Sequence, residues 1–158
     1  MKTINDQLDF VNKIKTLIAK KIKPFSKLPI EERYVKAQDI LKQFEIQYNN
    51  TGDTITKINE LKENNEDQEM YEPYYDKLYK EIDLLFLYSY LLPSYTSVIP
   101  LDDKEFNALK TQMELYISYA KKLFKDLNYL IYYNIFYQTY IVKGILHDAP
   151  LTTNTLME

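Results

Sequence analysis

The chain has 158 residues, a net charge of −3, 16 tyrosines, two glycines and no cysteine. That length suits one domain whose core can stand without disulfide or metal staples. The missing cysteines exclude disulfide frameworks and thiolate zinc sites, and two glycines are too few for a tight-turned β fold or a glycine-built phosphate loop.

The first helix is expected from about Ile4 to Ile22. Ile4, Leu8, Val11, Ile14, Leu17, Ile18 and Ile22 recur on one side while Lys13, Lys15, Lys20 and Lys21 stay off it. Thr3, three residues ahead of Asp6, suits an N-cap. Pro24 and Pro29 should stop this helix and start the next, with Glu31 and Glu32 favoured at its positive end. The second helix carries Ile30, Tyr34, Ala37, Leu41, Phe44 and Tyr48 at alternating 4 and 3 spacing. Asn49-Asn50-Thr51-Gly52-Asp53 then reads as a loop, because asparagine and glycine tolerate positive φ. A short third helix follows with Ile55, Ile58 and Leu61. Residues 62–69 hold no apolar side chain and fit either its exposed end or an acidic linker.

Tyr71-Glu72-Pro73 opens a fourth helix that Pro93 should close. The fifth helix starts after Asp102-Asp103 and meets no breaker until Gly144, about 42 residues or about 60 Å. Its stripe reads Phe106, Leu109, Met113, Tyr116, Ala120, Leu123, Leu127, Leu130, Asn134, Tyr137, Ile141 and Gly144. A repeat sustained for about five heptads signals coiled-coil-like packing. The expected fold is therefore all-α: an elongated four- to five-helix bundle with a long C-terminal helix. Residues 1–149 form its single domain and 150–158 an extended tail.

A fourth helix of about 20 residues can cover only the first half of such a rod. The second half, rich in tyrosine on every face, would leave more apolar surface than a monomer tolerates. Tyrosine buries a large ring while its hydroxyl meets water, which suits a contact surface. Tyr129, Tyr132, Tyr133, Asn134, Phe136, Tyr137 and Tyr140 are accordingly the expected interface. Asn134 sits on the stripe, where a buried amide can fix register. The cluster Tyr71, Tyr74, Tyr75 and Tyr79 divides evenly between core and contact surface.

Charge is unevenly placed. Residues 1–28 hold seven lysines against Asp6 and Asp9, whereas 59–83 hold nine acids against three lysines. With one arginine in the chain, Arg33, a nucleic-acid face lacks its usual bidentate contacts. The stretches 84–101 and 127–142 are uncharged, yet the first is broken by prolines and the second is short of the ~20 residues a bilayer demands. The first 25 residues lack a continuous apolar core, so no secretory leader is expected.

Motifs of catalysis are missing. His147, the one histidine, lies beside Asp148 near the end of the last helix, where an imidazolium complements the helix dipole. No serine has a histidine base at a predictable spacing, and no Glu-x-x-His or P-loop pattern occurs. Enzyme activity, metal and cofactor are not expected. The richness in Asn, Ile, Lys and Tyr resembles AT-rich coding, common in viruses, phages and some low-GC cells. The sequence thus points to a structural or assembly subunit of a larger complex, in a virion or the host cytoplasm. Its partners would be its own copies or other assembly subunits, with neither nucleic acid nor membrane among them. The alternative is a soluble helical adaptor that binds and inhibits a host protein.

Overall fold

A computed structural model describes residues 2–96 and 104–136, with the side chains of Glu105, Phe106 and Phe136 left aside. Among these residues every regular element is helical: α1 (Ile4–Ser26), α2 (Ile30–Glu63), α3 (Gln68–Thr96), α4 (Lys104–Asp126) and α5 (Leu130–Phe136). The all-α bundle expected from the periodicity is what the chain adopts.

α1 begins where its cap dictates, with the Asp6 N–H donating to Thr3 Oγ1 at 3.1 Å. It runs past Pro24 to Ser26 rather than stopping there. A proline loses one backbone bond and crowds the preceding turn, but here the last turn is held by Phe25, which stacks on Tyr95 of α3 with centroids 4.3 Å apart.

α2 is one helix of 34 residues, not two. The expected loop at 49–53 is helical throughout, including Gly52, whose surroundings are open. The reason is tertiary. Ala37, Ile40, Phe44, Gln47, Thr51, Thr54 and Ile58 are all buried and recur at alternating 3 and 4 spacing. Opposite them α3 buries Leu78, Ile82, Leu85, Ser89, Leu92 and Thr96 at the same kind of spacing. The coiled-coil-like seam therefore lies in the α2–α3 hairpin, and five of its positions are polar: Gln47, Thr51 and Thr54 on α2, Ser89 and Thr96 on α3. Thr51 donates to the Gln47 carbonyl at 2.8 Å, and Thr54 donates to Glu81 Oε1 across the seam at 2.6 Å. The Gln47 amide reaches the Glu81 carbonyl at 3.4 Å.

The hairpin turns at 64–67, which settles the acidic stretch as helix end plus connector. Asn65 takes φ 55°, the Glu66 N–H donates to the Leu61 carbonyl, and the Asn65 N–H donates to Lys62. This pair of bonds is a Schellman motif with asparagine in the left-handed position. α3 then continues beyond Pro93 to Thr96, where Ser94 donates to the Tyr90 carbonyl at 3.0 Å.

The expected 42-residue rod is broken. α4 ends at Asp126, and Asn128 adopts φ 63°. The Tyr129 N–H donates to the Phe124 carbonyl at 2.7 Å and the Asn128 N–H to Lys125 at 3.1 Å. The same Schellman closure used at the hairpin tip thus ends α4, and α5 folds back onto α1. An asparagine pays a smaller penalty than other L residues for this conformation, since its short side chain bonds locally. The part of the proposed rod beyond Phe136, like the tail 150–158, lies outside the described residues.

α3 is the hub. Phe10 and Phe25 of α1 lie against its Phe86 and Tyr95, so the two helices run in the same direction. α4 is antiparallel to it, with Met113 beside Thr96 and Phe124 beside Phe86. α4 also crosses α2 through Tyr116, whose ring meets Phe44 and Tyr48.

Candidate functional site: inner and outer tyrosines

The break at Asn128 relocates the aromatic residues that the sequence assigned to an interface. Tyr129 and Tyr132 are buried inside the chain's own core, with relative exposures of 1% and 0%. They are therefore not partner-facing in this fold, which corrects that expectation. Tyr132 stacks on Phe86 with centroids 4.3 Å apart and meets Phe124 edge-on at 5.6 Å. Phe10 and Tyr129 close the cluster at 6.1 and 5.3 Å from the Tyr132 ring. Burying an aromatic side chain of this size contributes about 1.5–3 kcal/mol, with offset or edge contacts adding about 0.5–1.5 kcal/mol per pair.

The polar ends of this cluster are tied to the amino terminus. Tyr132 donates its hydroxyl proton to Asp83 Oδ1 at 2.7 Å, and Lys2 Nζ sits 2.6 Å from Asp83 Oδ2. The same ammonium lies 4.2 Å above the Phe10 ring. Gln7, buried on the inner face of α1, accepts from the Ile131 N–H at 3.2 Å and so satisfies a free donor in the first turn of α5. Its own amide donates to the Lys2 carbonyl at 3.1 Å. Burial first, then the bond to Asp83, holds the Tyr132 phenol far above its usual range. Burial pushes Tyr129 up to about 12, against a smaller opposing effect of the Lys2 main chain. The Tyr129 hydroxyl completes no hydrogen bond of good geometry among the described residues.

Tyr133 and Asn134 are half-buried. Lys121 and Lys125 of α4 stand 5.9 and 5.8 Å from the Tyr133 ring centre, so part of its face is already engaged by cations. Asn134 lies in α5, past the break at Asn128, and so does not continue the stripe of α4. The Phe136 side chain, Tyr137 and Tyr140 lie outside the described residues.

The accessible aromatic surface is elsewhere, in two ladders. One spans the α2–α4 groove: Tyr48 stacks on Tyr119 at 5.7 Å, and both meet Tyr116 at 6.3 and 5.8 Å. Tyr116 donates its hydroxyl proton to Glu45 Oε1; that bond, then burial, pushes its phenol up to about 12. Tyr119 is 42% exposed, and Leu115, one turn before it, is 48% exposed. The second ladder runs along the start of α3, with Tyr71, Tyr75 and Tyr79 at successive centroid distances of 6.0 and 6.1 Å. Lys62 of α2 reaches over it, 4.9 Å from the Tyr75 ring and 5.6 Å from the Tyr71 ring. Of the four tyrosines left open between core and surface, Tyr71, Tyr74, Tyr75 and Tyr79 are all half-buried.

The sequence contained a signal for the second ladder in its i, i+4, i+8 spacing. It held less for the first, because Tyr48 and Tyr119 are 71 residues apart. An open depression of about 380 Å³ along the start of α2 is lined by Glu31, Glu32, Val35, Lys36 and Asp39. Among the described residues no cluster of histidine, aspartate and glutamate could hold a metal ion. None of the described helices is long and apolar enough to cross a membrane.

These features define an all-α helical bundle in which Tyr129 and Tyr132 belong to the core, while Tyr48, Tyr116 and Tyr119, and Tyr71, Tyr75 and Tyr79, form two ladders nearer the surface. The sequence matches no protein-family model, and no significant similarity to a curated protein or a solved structure was found.

Proposed function

We propose that the chain is a non-enzymatic structural or assembly subunit that works by protein–protein contact. The observation that carries this reading is the aromatic ledge across the α2–α4 groove. Tyr48 and Tyr116 pre-order Tyr119, and Leu115 extends the ledge along α4. Tyrosine on a rigid support supplies contact area at low entropic cost, and tyrosine is enriched in interface cores. Single exposed apolar residues are ordinary; a stacked, oriented group differs because its ordering has been achieved before a partner arrives.

AT-rich coding supports a virus or phage particle as the setting, reached through the host cytoplasm. Particles purified to homogeneity should contain the chain at a fixed ratio to the other subunits, measured by quantitative mass spectrometry. Tyr119→Ser with Leu115→Ser should deplete it from particles at least tenfold while leaving its thermal unfolding cooperative. Wild-type incorporation by that double variant ends the case for the ledge, and absence of the chain from particles ends the case for the setting. A host-protein inhibitor is the second reading, favoured by the acidic α2–α3 tip, and capture of one host enzyme at equal stoichiometry would support it.

A further inference from the structure

An acidic cluster and a lysine cluster lie at opposite ends of α2, although Lys57, Lys62 and Lys77 stand near the acidic one. The α2–α3 tip presents Glu63, Glu66, Asp67, Glu69, Glu72 and Asp76, all exposed. The end of α1 presents Lys20, Lys21, Lys23 and Lys27, also exposed, beside the α1–α2 corner. Glu31 and Glu32 open α2 at that corner and leave the lysines in excess. α2 alone separates the corner from the tip, and its 34 residues extend about 50 Å. That exceeds the Debye length of about 8 Å at physiological salt several-fold, so the two ends cannot neutralise one another within one chain.

The tip is also more than a group of acids. Tyr71 and Tyr75, half-buried and edge-to-face with one another, lie next to Met70 in sequence, which is 54% exposed. The molecule itself shows what those rings take, since the Lys62 ammonium lies over both. Aromatic faces flanked by carboxylates form a receptor for lysine side chains on a helix.

We propose that the tip of α2–α3 docks the lysine-bearing end of α1 in a second copy of this chain. This rests on the reading of the chain as an assembly subunit and names one of its contacts. The two surfaces differ, so the contact is heterologous: each copy keeps a free tip and a free lysine end. Repetition yields a ring where the rotation closes and a filament where it does not.

Sedimentation velocity of the full-length protein tests the contact. Association should rise with concentration at low salt and fall away near 1 M salt, where the Debye length is about 3 Å. A tip variant (Glu66→Lys, Asp67→Lys, Glu69→Lys, Glu72→Lys) and an α1 variant (Lys20→Glu, Lys21→Glu, Lys23→Glu, Lys27→Glu) should each be monomeric. Mixed together they should associate again, because each supplies the sign the other lacks. Circular dichroism melts establish that both are folded. Lys62→Ala should tighten wild-type association about threefold by clearing the rings, roughly the worth of one exposed cation–π contact. A wild-type protein that stays monomeric at low salt overturns the proposal, as does association that survives either reversal. Association that survives both leaves the assembly reading intact and removes only this contact, so the two failures are distinguishable.

Discussion

Tyr119 and Tyr132 stand 13 residues apart on consecutive helices and have opposite fates. Tyr119 lies on the outer strip of α4, stacked on Tyr48 and open to a partner. Tyr132 is sealed among Phe86, Phe124 and Tyr129, with its hydroxyl on Asp83. Aromatic density marks both regions equally, so density alone does not separate core from contact surface. What separates them is the corner at Asn128, which turns the chain and carries Tyr132 back over α1 and α3.

The sharpest way to break this comparison is to truncate each ring. Tyr132→Ala should lower stability by about 3–5 kcal/mol in urea unfolding, since it opens a cavity in the ring cluster. Tyr119→Ala, which loses two partly exposed ring contacts but opens no cavity, should cost about 1 kcal/mol in the same assay. Equal costs would mean that the two regions are not inner and outer. Next in size, Tyr132→Phe retains the stack and loses the bond to Asp83, a change of about 2 kcal/mol for a hydrogen bond to a charged acceptor. Its cost should shrink in an Asp83→Asn background, and an unchanged cost there would detach the hydroxyl from Asp83.

The corner itself is the third test. Asn128→Ala forces an alanine into the left-handed region and should cost about 1–2 kcal/mol, while Asn128→Gly should be neutral or slightly stabilising. Should the alanine variant instead gain helicity by circular dichroism, the straight rod would be competing with the folded corner.

The smallest effect concerns pH. A phenol whose pKa is raised by folding is held neutral in the native state. Tyr116, raised to about 12, therefore contributes stability that is intact below pH 10 and lost as pH climbs through about 12. Absorbance at 295 nm should show late-titrating phenols, of which Tyr116→Phe removes one share while Tyr129 and Tyr132 keep theirs, and that variant should lose less stability over the same window.

Much of the architecture was legible because helix periodicity depends on local spacing. On α1 Leu8, Val11, Ile14 and Ile18 are buried as that spacing predicts, as are Leu109, Met113 and Ala120 on α4, and the Thr3 cap forms, whereas Ile4 and Leu17 are exposed, Lys15 is buried, and Ile117 and Phe124 join the inner face of α4. The errors share one cause. Asn49-Asn50-Thr51-Gly52 has the composition of a loop, yet Thr51 and Thr54 hold seam positions against α3 and their hydroxyls bond within the hairpin. Asn128 has the composition of any polar helix residue, yet it closes a Schellman turn. Asparagine is permissive in both directions, and local propensity of a few tenths of a kcal/mol is easily outweighed by packing. The aromatic ledge of Tyr48, Tyr116 and Tyr119 was invisible because it joins two helices distant in sequence.

The sequence by itself determined that this chain is helical, that it needs no disulfide, and that residues 1–28 are basic while 59–83 are acidic. Those properties come from residue identity and spacing, which local physics reads directly. Only the tertiary structure decided which tyrosines are inside, that α2 is continuous, and that the last described turn of helix folds back under the cap of Gln7. These outcomes depend on long-range contacts such as Gln7 with Ile131 and Thr54 with Glu81, whose energies exist only once the helices have met.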